Sequence, residues 1–324
     1  MTDAQPARKR QKLGQADDDE LDEVADPISN EVKFVPIHGN YRGYYSKRTA
    51  AAGMDQRLKL LSPELVKGKR VLDIGCNTGL ITIQIAQEMQ PYRVTGVDID
   101  ADLIDGAQRQ VDSAFSRQAP ITEDQSTPPQ PNYFPVSFPK TFGVLPRPPP
   151  SYLVRYHQLS AEESAKATKR RDGKLSRGQV PPREVRFFPR NLRLVHADWT
   201  QEEIPDDRKG YDLILAFSIT KWIHIHGTDT GLRDFFAKVF RSLRPSGQFI
   251  FEPQPWSSYK KLKRLDPMLR ENYDKLEWRP EDGFREVLCD KIGFKSVEPL
   301  GQPGGEGGFA RQVWVAKKPK GTWM

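Results

Sequence analysis

The sequence predicts an α/β fold built on a mostly parallel sheet with helices on both faces. Three observations carry that expectation. An apolar run at Val71, Leu72 and Ile74 ends in the glycine loop GCNTG at 75–79. A helical period follows, with apolar residues at Ile81, Ile83, Ile85, Ala86 and Met89. A second apolar run at 94–97 then closes on Asp98. Strand, glycine loop, helix, strand and acid in this register form the first half of a nucleotide-binding α/β unit.

The remaining elements extend the same pattern. Arg57 lies on an expected helix through Leu58, Leu60 and Leu61, and residues 102–113 form the helix after the second strand. A third strand occupies 185–195 and closes on His196, Ala197, Asp198 and Trp199. Residues 211–217 (YDLILAF) are a buried strand. Residues 231–243 give an amphipathic helix carrying Leu232, Phe235, Phe236, Val239, Phe240 and Leu243, stopped by Pro245, Ser246 and Gly247. A strand at 248–252, a helix at 285–292 and strands at 294–297 and 312–316 complete the reading. The last two strands are expected to pair as a hairpin, so the sheet has seven strands with an antiparallel last one. No internal repeat is evident.

Composition sets the limits. A chain of 324 residues can bury one large α/β core with tails. Its hydrophobic content of 37% and mean hydropathy of −0.67 are low for a compact enzyme, so part of the chain is expected to lie outside the packed core. The charge of +7 and pI near 9.2 favour an acidic partner or substrate. Cys76 and Cys289 lie far apart in different elements, which argues against a disulfide framework and suits a reducing compartment. No apolar run reaches the length of a membrane span, and the N-terminus lacks a signal-peptide core.

Three segments stand out from the core. Residues 1–30 are polar and charged and read as a disordered tail. Its basic cluster at Arg8, Lys9, Arg10 and Lys12 has two readings, a nuclear-import signal or a solvated charge run. A single domain is expected over 31–318, interrupted at about 115–185 by a proline-rich and then basic insertion. That insertion either touches RNA phosphates or is a solvated loop. The third segment, HGNYRGYY at 38–45, is dense in glycine and aromatics and precedes Arg48.

The glycine loop departs from the dinucleotide fingerprint. Its glycines are four apart, Asn77 sits between them, and Asp73 precedes the first. An acid there opposes a pyrophosphate and suits a cationic ligand. S-adenosylmethionine, with its amino group and sulfonium, is such a ligand, and the pattern resembles the first two motifs of class I Rossmann-like methyltransferases. Gly75, Cys76 and Asn77 are then expected to line the methionine part, while Asp98 and Ile99 hold the ribose and flank the adenine. Asp198 is placed for the adenine amino group with Trp199 beside it, although an acid there also serves as a helix cap.

The segment after the fourth strand bears on the acceptor. It reads FSITKWIHIH at 217–226 and lacks the Asn/Asp-Pro-Pro-aromatic tetrad of many amine methyltransferases. Thr220, Lys221 and Trp222 offer donors there, and a cation suits an anionic acceptor oxygen. After the fifth strand comes EPQPWSSY at 252–259, with Lys260, Lys261 and Lys263 behind it. Trp222 and Trp256 have two readings, core packing or stacking on an RNA base. His224 and His226 alternate on an extended reading, but no third metal ligand sits at a recognisable spacing, so no metal is expected.

Together, SITKW at 218–222 with His224, EPQPWSSY at 252–259 and GNYRGYY at 39–45 resemble the bicoid-interacting protein family of RNA 5′-phosphate methyltransferases. The resemblance covers roughly 33–112 and 190–317. It implies transfer of a methyl group from S-adenosylmethionine to the terminal phosphate at an RNA 5′ end. The basic insertion and the nuclear-type signal lean towards the (γ-)phosphate of a small nuclear or other polymerase III-type RNA, in the nucleus. It implies a structured small RNA as partner, with proteins of a ribonucleoprotein as further partners, and no membrane. By position, Tyr45, Arg57, the Gly75 loop, Asp98, Ile99, Asp198, Trp199 and Phe217 match the family's cofactor contacts. Tyr44, Arg48 and Lys221 match positions close to the RNA 5′ phosphate. At Asp198 and Trp199 an animal member has Asn-Tyr, an exchange that keeps an acceptor and an aromatic. Two alternatives stay open: a 5′-monophosphate acceptor on a processed small RNA or tRNA, and an RNA-binding subunit with little catalysis.

Overall fold

The computed structural model describes residues 38–39, 53–120, 128–147, 187–304 and 310–321. A single 3-10 turn at Leu58–Leu60 and a short helix α1 (Pro63–Val66) lead into strand β1 (Arg70–Ile74). Then come α2 (Leu80–Glu88), β2 (Arg93–Asp98) and α3 (Ala101–Arg117), the last capped by the Asp100 carboxylate, which accepts from the amides of Asp102 and Leu103. A short helix α4 (Ser137–Phe142) lies within the segment expected to be irregular. Strands β3 (Leu192–His196) and β4 (Tyr211–Phe217) precede a long helix α5 (Thr220–Ser242) and strand β5 (Leu243–Glu252). A 3-10 run at Trp256–Arg264, helix α6 (Pro267–Lys275), a π-helical turn at Val287–Ile292 and strands β6 (Ser296–Gly301) and β7 (Val313–Lys317) follow.

The seven strands form one sheet in the order β3-β2-β1-β4-β5-β7-β6. The first five are parallel, and β7 runs antiparallel to both neighbours. The side-chain alternation of strands divides the core in two. Along β4, Ile214 and Ala216 join Leu72, Phe249 and Phe251 under α5 and the π turn. Leu213, Leu215 and Phe217 join Val71 and Ile250 on the other face, under α2 and Val111 of α3. These strands are buried on both faces, which is why they read as continuous apolar runs. Among the described residues, no helix is long and apolar enough to cross a membrane.

The structure departs from the sequence reading most clearly at the start of α5 and at the start of β5. Helix α5 begins at Thr220, not at 231, and Thr228 interrupts it with φ 57° and ψ −168°. The Ile-His-Ile-His alternation therefore lies on a helix, where residues two apart point to opposite sides. Pro245, Ser246 and Gly247 do not form a separating loop. They lie inside β5, where the register against β4 shifts between Tyr211 and Leu213. The tail at 1–30 and most of the insertion lie outside the described residues.

Candidate functional site

The site sits beyond the carboxyl ends of β1, β2 and β4, where ligands bind in open α/β sheets. Its first wall is the loop after β1. Gly75 and Gly79 have φ of 72° and 78°, and the amides of Gly75 and Cys76 both donate to the Val97 carbonyl, at 2.8 and 3.1 Å. Asn77, itself at φ 51°, donates its amide to Asp98 Oδ2 at 2.8 Å, while the Asp100 amide donates to Oδ1 at 3.0 Å. One carboxylate thus ties the end of β2 to the glycine loop. A carboxylate offers about four acceptor sites, so Asp98 retains capacity for a ligand hydroxyl. Burial raises its pKa, against the two backbone amides that favour the charged form.

A cavity of about 410 Å³ opens here, within the roughly 300–1,000 Å³ of small-molecule sites. Gly75, Asn77, Asp98, Ile99, Asp198 and Trp199 all line it. Ile99 stands 41% exposed at its edge. Asp198 Oδ1 accepts from the Thr200 amide at 3.0 Å and its hydroxyl at 2.6 Å, so this acid serves as a turn cap while lining the cavity. Trp199 contributes wall, but its ring is sunk in the core, with Nε1 donating to the Asp207 carboxylate at 3.1 and 3.2 Å.

The second wall comes from the start of α5 and from residues 38–39. Ser218, Ile219, Trp222, Ile223 and His226 line it, and His38 stacks on His226 with centroids 4.7 Å apart. Gly39, at φ 73°, lies against Trp222: an added Cβ would stand 2.1 Å from the indole Nε1. Burial lowers the His38 pKa, and the neighbouring His226 lowers it further, while Asp198 and Asp100 act in the opposite sense. Neither His226 nor Asp234, which also lines the cavity, carried a signal as a wall residue in the sequence. His224 points away into the core, with its ring nitrogens 2.6 Å from Asp229 Oδ1 and 3.3 Å from the Tyr259 hydroxyl.

Four of the expected site residues lie outside the cavity lining. Arg57, Cys76, Phe217 and Lys221 are not among the residues that line the cavity. Arg57 is fully buried: Nε and Nη2 grip the Asp55 carboxylate at 2.9 and 3.0 Å, Nη1 donates to Glu252 Oε2 at 3.1 Å, and the guanidinium lies 4.7 Å from the Phe217 ring centroid. It is a strut between the N-terminal segment and the end of β5. The Cys76 thiol is wholly buried, and burial, with Asp98 and Asp73 nearby, pushes its pKa up. Lys221 is 5% exposed, with Nζ 5.0 Å from the Trp222 ring centroid. Tyr44, Tyr45 and Arg48 lie outside the described residues.

The charge of the wall also differs in its source. Asp73, expected to face a cation, instead accepts from the Thr82 hydroxyl at 2.6 Å beneath the loop, and burial raises its carboxyl to about 7. The acids that line the cavity are Asp98, Asp198 and Asp234, and among the described lining residues there is no lysine or arginine. That donor set suits a cationic ligand with hydroxyls. Trp256 is covered within the chain, by Arg279 at 3.8 Å and by the Tyr273 ring at 5.0 Å, and so is not a free stacking platform for a base.

Comparison with known proteins agrees with this architecture. The family model for bicoid-interacting protein 3 (Bin3) matches residues 211–318, and a methyltransferase-domain model matches 71–149. A probable RNA methyltransferase of Arabidopsis thaliana is 35% identical over 283 residues, covering 86% of this chain and 80% of its own length. The 7SK snRNA methylphosphate capping enzyme of Mus musculus is 32% identical over 289 residues, covering 87% of this chain, and this chain spans only 41% of that relative's length. The U6 snRNA methylphosphate capping enzyme Amus of Drosophila melanogaster is 29% identical over 288 residues, covering 87% of this chain and 74% of its own length. The strand order with its antiparallel β7 is that of a class I methyltransferase, and by the extent of these likenesses the chain belongs to the bicoid-interacting protein 3 family.

Proposed function

We propose that this chain is an S-adenosylmethionine-dependent methyltransferase of the 5′-terminal phosphate of RNA, with the γ-phosphate of a small nuclear RNA as acceptor. The observation that carries the reading is the junction of the two walls. The cofactor-type loop packs directly on Ile219 of the turn after β4, and the residues that follow it, Thr220, Lys221 and Trp222, open helix α5. Relatives named as methylphosphate capping enzymes align over 87% of the chain. Their names also motivate a nuclear location and a small RNA as partner.

The cavity fits the cofactor. Asp98 accepts from the ribose diol, Ile99 flanks the adenine, and Asp198 accepts from its amino group. The acidic wall favours the positive charge. When bound there, S-adenosylmethionine supplies an electrophilic methyl carbon on a sulfonium. The chain's own task is to hold and orient the acceptor. A terminal phosphate has a second pKa of about 6, so its oxygen is anionic near neutrality and no general base is needed. Lys221 supplies a compact positive charge after turning from the Trp222 ring. By their match to family positions, Arg48 is assigned to grip phosphate oxygens as a fork, Tyr44 to donate a hydroxyl hydrogen bond to the phosphate, and Tyr45 to contact the cofactor. Arg57 and Phe217 act behind the wall, holding the strand ends that carry it. Catalysis is alignment and electrostatic positioning.

The test is methyl transfer from labelled S-adenosylmethionine to matched RNAs with 5′ triphosphate, monophosphate or hydroxyl ends. Label on the triphosphate RNA is expected. Label confined to the monophosphate RNA would move the acceptor to a processed end, and equal label on all three would move it to a base or ribose.

A further inference from the structure

The segment between β4 and α5 is held by a polar brace that reaches it from the end of β5. Ser218 adopts a left-handed φ of 62°, unusual for a residue with a side chain. Three contacts hold it there. Its amide donates to the Glu252 carbonyl at 3.1 Å, its hydroxyl donates to Glu252 Oε2 at 2.6 Å, and its carbonyl accepts from Gln254 Nε2. The other end of the same Gln254 amide, Oε1, accepts from the Lys221 backbone N–H at 3.4 Å. One side chain, 4% exposed, therefore spans the turn from Ser218 to Lys221. Ser218 and Ile219 line the cavity inside that turn.

Glutamine is chemically suited to this task. It must donate to a carbonyl and accept from an N–H at once, which an amide does and an ionised carboxylate or an apolar side chain does not. Leaving either buried backbone group unpaired carries its full desolvation penalty, which favours a different turn. We infer that Gln254 is a positioning residue for methyl transfer: it fixes the Ser218–Lys221 turn, and with it the approach of the acceptor to the cofactor. The inference rests on the proposed phosphate methyltransferase reading, since that reading makes Lys221 a phosphate ligand.

The variant Gln254→Glu tests it. A protonated glutamic acid reproduces both bonds, donating through O–H to Ser218 and accepting from Lys221 through its carbonyl, whereas the carboxylate repels the Ser218 carbonyl. The charged groups around this position are Glu252 at the end of β5, Arg57 with Asp55, Arg311, Lys221 on α5, and Glu281, which accepts from the Trp256 amide. The measurement is the ratio of variant to wild-type kcat from pH 6 to 9 on 5′-triphosphate RNA, with the affinity for S-adenosylhomocysteine measured in parallel. Taking the ratio removes the titration of the RNA phosphate, which both proteins share.

The ratio is expected to rise as pH falls, and at high pH to lie at least about tenfold below unity, on the scale of misplacing reacting groups. Affinity for S-adenosylhomocysteine is expected to fall less than kcat, because Gln254 itself is not part of the cavity wall, although the turn it holds carries Ser218 and Ile219. A ratio that does not change with pH, whether high or low, overturns the inference. If Gln254→Glu does not fold, the near-isosteric Gln254→Met replaces it: a loss of kcat larger than the loss of cofactor affinity supports the inference, and a wild-type kcat overturns it. Failure of the wild-type protein to methylate the RNA overturns the phosphate reading instead, so the two failures are distinct.

Discussion

Gly75 and Ile219 face each other so closely that a Cβ on the glycine would stand 2.4 Å from Ile219 Cγ2. This contact joins the loop after β1 to the turn after β4, and makes the two walls of the cavity one packed unit. Two constraints therefore act on Gly75, since its φ of 72° also lies in the left-handed region. The backbone alone costs an L-residue about 1–2 kcal/mol there. Gly75→Ala is expected to lower the Tm and to abolish measurable S-adenosylhomocysteine binding, checked by thermal melts and calorimetry. A variant that keeps both would show that the walls move independently.

Asp98 holds the glycine loop through the Asn77 amide, and we place the ribose on its remaining acceptor sites. Removing a charged acceptor forfeits hydrogen bonds of about 1.5–3 kcal/mol each. Asp98→Ala should weaken cofactor binding about 100-fold or more, a loss of at least about 2.7 kcal/mol. Equilibrium titration with S-adenosylhomocysteine reads this directly. An unchanged Kd would remove Asp98 from the site.

Lys221 lies at the first turn of α5 and outside the cavity wall, so its contribution should appear in turnover rather than in cofactor affinity. Lys221→Ala is expected to lower kcat about 100-fold, the scale of losing one preorganised charge-stabilising donor. The cofactor Kd stays within about twofold. Single-turnover transfer to 5′-triphosphate RNA separates the two, and full rate in the variant would end the assignment.

Asp73 gives a pH signature in stability. Burial raises its carboxyl from 3.8 to about 7 in the folded chain. Between those values the unfolded chain has released the proton that the folded chain keeps. Folding then takes up a proton, and stability falls as pH rises through this window, levelling off above about 7. Denaturant titrations at pH 5 and pH 7.5 should show the wild type losing stability between them. Asp73→Asn cannot ionise and should lose less, while equal losses in both proteins would assign the slope to other groups.

The sequence made the sheet legible because its strands are buried on both faces and read as apolar runs ending in glycine or acid. Val71 to Ile74 and Tyr211 to Phe217 are such runs, and Gly75, Asn77, Asp98 and Asp198 follow from where they end. The first half of α5 was hidden, since the alternation of Ile223, His224, Ile225 and His226 imitates a strand and only the turn at Thr228 separates it from the periodic half. The ion-pair setting of Arg57 was hidden for another reason. Its partner Glu252 lies 195 residues away, and no local pattern reports such a contact. Position relative to a family motif identified Arg57 as important but could not distinguish a wall residue from the strut behind it.

Strand β7 lies between β5 and β6, although it follows both in sequence. During synthesis β6 therefore emerges with no hydrogen-bonded neighbour and must wait for residues 313–317 before it can join the sheet. The nascent domain presents the open edge of β5 to the ribosome surface and to chaperones throughout that interval, a window in which exposed strand edges favour aggregation. Removing 313–317 would thus do more than trim an edge: it would delete an interior strand, leave β6 without a partner and open one edge of β5.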